Sequence, residues 1–118
     1  MYSVCNETKW RELRDVMIEY PPEVKPSWRT KDLNGFIYVW DRDWFYHFRR
    51  GEYKTIEYCE TLTNDVRHMK KILKYIESIN LCGIIYENII RVYGYVNQTG
   101  DVNILNSAQQ SDASETMT

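Results

Sequence analysis

The sequence predicts an α+β domain, an antiparallel sheet covered by two amphipathic helices, in the order α-β-β-β-β-α-β-β. Three observations carry this reading. Two segments repeat apolar residues every three or four positions. The stretch between them breaks into short β-branched and aromatic runs, and turn-forming residues divide those runs.

The first helix is expected over about residues 7–20. Asn6 or Thr8 can cap it, and Trp10, Leu13, Met17 and Tyr20 fall on one face. Pro21 and Pro22 stop it, because proline lacks the N–H that a continuing helix needs. The chain then runs extended from Pro21 to Ser27.

Four strands are expected next, at about 28–33, 36–40, 44–48 and 53–58. Asn34-Gly35 is a two-residue hairpin signal, and Asp41–Asp43 and Arg50–Glu52 mark later turns. Connections this short make an antiparallel meander.

A second helix follows, with Thr61 or Thr63 as cap, Asp65 in its first turn, and Val66, Met69, Leu73, Ile76 and Ile79 on one face. Its other side is basic, with Arg67, Lys70, Lys71 and Lys74, and His68 near the margin. The runs Ile84–Tyr86 and Ile89–Tyr95 flank Glu87-Asn88 and read as a terminal hairpin. From Gln98 onward polar residues dominate. Residues 1–97 are therefore expected to form one domain and 98–118 a disordered polar tail.

Composition narrows the function classes. No stretch approaches the ~20 apolar residues of a membrane helix, and the N-terminal residues show no apolar signal-peptide core, which points to the cytoplasm. Cys5, Cys59 and Cys82 lack the close pairing of zinc or redox motifs, so reduced thiols are expected. The tail holds Asp101, Asp112 and Glu115 and no Lys or Arg, so the net charge of −2 leaves residues 1–97 nearly neutral.

No glycine-rich phosphate loop, nucleophile-elbow serine or helical histidine pair is present, and neither cofactor nor metal is expected. His47 and His68 are the candidates for acid–base work near neutral pH. With Arg49, Arg50, Lys54 or Lys71 holding a phosphate they would suit a small RNA-processing or toxic ribonuclease. Basic and aromatic residues alternate from Arg42 to Lys54 like a base-stacking platform. The carboxylates Asp41, Asp43, Glu52, Glu57 and Glu60 in the same region would repel phosphates and argue against nucleic acid.

The chain holds 4 Trp, 10 Tyr and 3 Phe, and consecutive rings such as Trp44, Phe45 and Tyr46 on a strand must point to opposite faces. One set is then free of the core. Rings bordered by carboxylates suit a protein-binding surface, which assigns Asp41, Asp43, Trp44, Tyr46, Glu57 and Glu60 as partner-binding residues.

The segments Thr8-Lys9-Trp10-Arg11-Glu12-Leu13, Ile56-Glu57-Tyr58 and Arg91-Val92-Tyr93-Gly94-Tyr95 resemble a family of short uncharacterised bacterial proteins over residues 8–95. In size and architecture the chain is also similar to immunity proteins of contact-dependent growth inhibition and related bacterial toxin systems. That resemblance implies a noncatalytic protein, a monomer or weak dimer, that neutralises a cognate toxin, a nuclease being the usual target. A noncatalytic regulatory adaptor is the third class compatible with the sequence.

Overall fold

The computed structural model describes residues 1–21, 25–50, 53–97 and 103–107, with the side chains of Arg49 and Arg50 excepted. Gly51 and Glu52 of the expected turn, residues 22–24 of the expected extended connector, and the segments 98–102 and 108–118 lie outside the described residues.

The α+β class holds. In chain order the elements are β1 (Tyr2–Ser3), α1 (Glu7–Glu19), β2 (Ser27–Asp32), α2 (His47–Arg50), β3 (Ile56–Leu62), α3 (Val66–Ile76), β4 (Cys82–Tyr86), β5 (Ile89–Tyr93), β6 (Tyr95–Val96) and β7 (Asn103–Ile104). Five strands form one antiparallel sheet in the order β2-β3-β5-β4-β7, and β1 pairs with β6.

Both long helices form where the periodicity places them. Asn6 caps α1, its side chain accepting the Lys9 amide at 2.8 Å, and Trp10, Leu13 and Met17 are buried. In α3 the cap is Asp65 itself, which accepts the His68 amide at 2.8 Å; neither expected threonine serves. Its buried face holds Met69, Ile72, Leu73 and Ile76, while Val66, expected on that face, is exposed at the first position of the helix. These residues pack onto Trp28, Cys59, Ile90 and Val92 of the sheet. Burial pushes the Cys5 thiol up to about 12 and raises Cys59 well above the ordinary value, so both act as small apolar groups.

The four-strand meander is corrected. Segment 36–41 pairs with β2 only at isolated bridges, Lys31 to Ile37 and Trp28 to Asp41, and does not form a strand. The Asn34-Gly35 turn does form, with Gly35 at φ +96° and its amide donating to Asp32 at 2.9 Å. Residues 44–46 are a turn leading into α2, which takes in 47 and 48, and 53–55 are a 3-10 turn before β3. The last expected strand also breaks at Gly94, where a Cβ would lie 2.2 Å from the Ile56 carbonyl; only glycine permits that approach.

The tail reading is corrected for residues 103–107. Asn103 and Ile104 pair with β4, the Leu105 amide donates to Leu81 at 2.8 Å, and the Leu105 side chain is 0% exposed. Glu77 accepts both the amide and the hydroxyl of Ser107, and these bonds hold its carboxyl below the ordinary value.

The sheet face away from the helices is polar. Its centre is Glu60, whose side chain is 0% exposed and accepts from Arg29 Nε at 2.8 Å, from Arg91 Nε and NH2 at 3.0 and 2.8 Å, and from the Tyr86 hydroxyl. The Arg91 guanidinium lies over Tyr58 at 4.1 Å and that of Arg29 over Trp40 at 4.4 Å. Burial alone would raise the Glu60 carboxyl, but Tyr86, Arg29 and Arg91 together hold it below the ordinary value.

Candidate functional site

The loop 33–46, between β2 and α2, is shaped by short side-chain-to-backbone bonds. Asn34 accepts the Phe36 amide at 2.9 Å, Asp41 accepts the Asp43 amide at 2.8 Å, and Asp43 accepts the Tyr46 amide at 2.8 Å. Such bonds give the backbone an alternative to a ladder, and the last one starts α2. The turn then sends Trp44 and Phe48, four residues apart, into the core beside Trp28.

With those two rings inward, their neighbours point outward. Among the described residues twelve large hydrophobics are exposed, and seven of them lie in this loop: Leu33, Phe36, Ile37, Tyr38, Val39, Phe45 and Tyr46. A concentration of this kind exceeds the singly scattered apolar residues of an ordinary surface. Phe36 meets Tyr38 edge-on at 4.8 Å, and Phe45 meets Tyr46 at the same distance. Arg14 of α1 fixes the second pair, donating to the Phe45 carbonyl at 2.9 Å with its guanidinium 5.1 Å from the ring centre.

Beside the rings is a cleft of about 340 Å³, lined in part by Thr30, Asp32, Tyr38, Asp41, His47 and Thr55. His47 Nδ1 is 2.5 Å from Asp41 Oδ2, and its Nε2 is 4.0 Å from Asp43 Oδ2. Burial alone would raise the Asp41 carboxyl, but the Asp43 amide and the His47 ring hold it below the ordinary value. Asp41 thus orients the imidazole as it would a general base, yet the other nitrogen faces a second carboxylate. No Lys or Arg lines the cleft among the described residues, so a phosphate entering it would meet acids and no cation. Nor do three His, Cys, Asp or Glu side chains among those residues form a group able to hold a metal.

The six expected partner-binding residues separate. Asp41 and Asp43 stand together at the cleft, and Tyr46 is 61% exposed beside them. Trp44 is corrected: it is 1% exposed, its indole N–H donates to the Pro26 carbonyl at 3.0 Å, and it cannot anchor a partner. It also does not share a face with Tyr46, because the segment is not a strand. Glu60 is corrected too, buried beneath two arginines, and Glu57 faces Lys31 at 3.5 Å on the sheet. His47 and His68 line different clefts, the latter beside α3. The sequence reasoning missed Phe36, Ile37, Tyr38, Val39 and Phe45; the signal was that two buried rings at a four-residue spacing turn the rest of the loop outward.

No helix among the described residues is long and apolar enough to cross a membrane. No curated protein and no solved structure matches the chain. The family model described as a family of unknown function, DUF6678, matches residues 1–99, and the chain belongs to that family.

Proposed function

We propose that the protein works by binding another protein through the loop 33–46, and that it is an immunity protein whose partner is the basic, nuclease-type domain of a toxin. The observation that carries this reading is the clustering of seven exposed large hydrophobics on one loop that is held in place by its own hydrogen bonds. Tyr and Phe rings on an ordered backbone lose little entropy on binding, which suits them as anchors. Asp32, Asp41 and Asp43 border them, with Arg42 as the exposed cation in the same segment, so the rim has an acidic excess that favours a basic partner. The three free thiols support a reducing setting, and cytoplasmic residence belongs to the same proposal.

The test is association kinetics with the toxin domain encoded beside this gene, followed across a salt series. Acidic steering requires the on-rate to fall as salt rises while the dissociation rate stays nearly constant. An on-rate indifferent to salt removes the basic-partner assignment, and absence of any association removes the immunity reading.

A further inference from the structure

A second groove, of about 530 Å³, lies between the end of α1 and the outer side of α3, and it shares no described lining residue with the cleft at loop 33–46. One wall is aromatic. Tyr20, buried at the end of α1, stands edge-on to Tyr75 at 5.2 Å and to His68 at 5.9 Å. Tyr75 is 55% exposed, so much of its ring remains open to solvent.

The other wall is cationic. Arg67, Lys71 and Lys74 recur at intervals of four and three residues and therefore form one stripe along α3. Lys74 faces Glu77 at 3.6 Å, whereas Arg67 and Lys71 have no carboxylate within ion-pair distance among the described residues. Among the described lining residues the acidic one is Asp65, which is engaged in capping the helix. His68 Nδ1 accepts the Asn64 amide at 2.9 Å, which fixes the ring against the start of α3.

Two cations one helical turn apart, about 5–6 Å between their Cβ atoms and without a carboxylate partner among the described residues, match a compact multivalent oxyanion better than a single carboxylate. An exposed tyrosine face beside them matches a planar ring. The volume falls within the ~300–1,000 Å³ of small-molecule sites.

We propose that this groove binds a nucleoside phosphate, with the phosphate on Arg67 and Lys71, Lys74 at its margin and the base lying on Tyr75. The site is independent of the loop that carries the protein-binding reading. Its occupant is a free nucleotide, although a phosphorylated RNA end carries the same chemistry and must be separated from it by experiment.

The measurement is amide-resolved NMR of the full chain, titrated in turn with adenosine monophosphate, uridine monophosphate, adenosine, inorganic phosphate and a short single-stranded RNA. The nucleotides should shift amides from Asn64 to Tyr75 with a Kd below about 1 mM. Lys71→Ala should weaken them about tenfold or more, the cost of one charge-assisted contact. Tyr75→Ala should weaken the nucleotides several-fold while leaving inorganic phosphate unchanged. Both side chains are exposed, and the ligand-free spectra of the variants report whether the fold is intact. Absence of shifts at about 10 mM nucleotide overturns the proposal, as does binding that survives Lys71→Ala. Inorganic phosphate binding as tightly as the nucleotides overturns the role of Tyr75. RNA bound about a hundredfold more tightly than any mononucleotide replaces the small molecule with a strand.

Discussion

Replacing Glu60 by Gln tests whether the polar sheet face is held by one buried carboxylate. The substitution keeps the size of the side chain but leaves Arg29 and Arg91 facing each other without their counter-charge. Breaking a fully buried pair from one side costs about 3–5 kcal/mol. The side chains of Arg29 and Arg91 are 30% and 25% exposed and keep part of their hydration, which lowers the expectation to roughly 2–4 kcal/mol. Urea unfolding followed by tryptophan fluorescence measures this directly, and a domain of this size should lose about 4–8 °C in Tm for each kcal/mol. The pH dependence supplies a second reading. Because the folded Glu60 carboxyl lies below its ordinary value of 4.5, its contribution is full above that pH and is lost as pH falls through the folded value. The natural protein and Glu60→Gln should therefore converge in stability under acid and separate near neutrality. A loss below about 1 kcal/mol at neutral pH, or a gap that persists unchanged into acid, would refute the network as described.

Three further outcomes follow from burial. Leu105→Ala should cost about 2–3 kcal/mol in chemical unfolding, at the lower end for a buried leucine because a short terminal segment can partly collapse on the cavity. Truncation after Asn97 should also destabilise the domain, and an unchanged midpoint in either variant would mean that 103–107 do not pack on the domain in solution. Iodoacetamide should modify Cys82, which is half-buried, well before Cys5 and Cys59 in the native protein. Equal rates by mass spectrometry would contradict the packing of the two buried thiols.

The parts of the fold governed by neighbours in sequence were legible. Trp10, Leu13 and Met17 announce the buried face of α1, and Glu87-Asn88 turns β4 into β5 where expected. The run Trp44-Phe45-Tyr46-His47-Phe48 misled because β-propensity largely reflects packing on a sheet, and here that preference yields to Asp43 starting a helical turn. The four-residue spacing of Trp44 and Phe48 was the available clue. Glu60 read as a surface acid because its partners, Arg29 and Arg91, are each 31 positions away, and no local pattern brings three strands together. Leu105 was hidden because it, Val102 and Ile104 stand in an otherwise polar stretch, and so few apolar side chains do not signal that a particular pocket awaits one of them. Of the residues proposed for the interface, Asp41, Asp43 and Tyr46 were legible as an acidic and aromatic group, but which rings face solvent depended on the turn.

The central proposal, recognition of a partner protein by the loop 33–46, is tested most directly by calorimetric titration of the protein encoded by the adjacent gene with the natural chain and with Tyr38→Ala, Val39→Ser and Tyr46→Ala. All three side chains are exposed, Val39 at 85%, so the fold should persist. The account predicts binding by the natural chain and a loss of at least ~2 kcal/mol, about thirtyfold, for whichever tyrosine sits at the centre of the interface. Binding that is equally tight in all three variants, or no heat of binding from the natural chain, would contradict it.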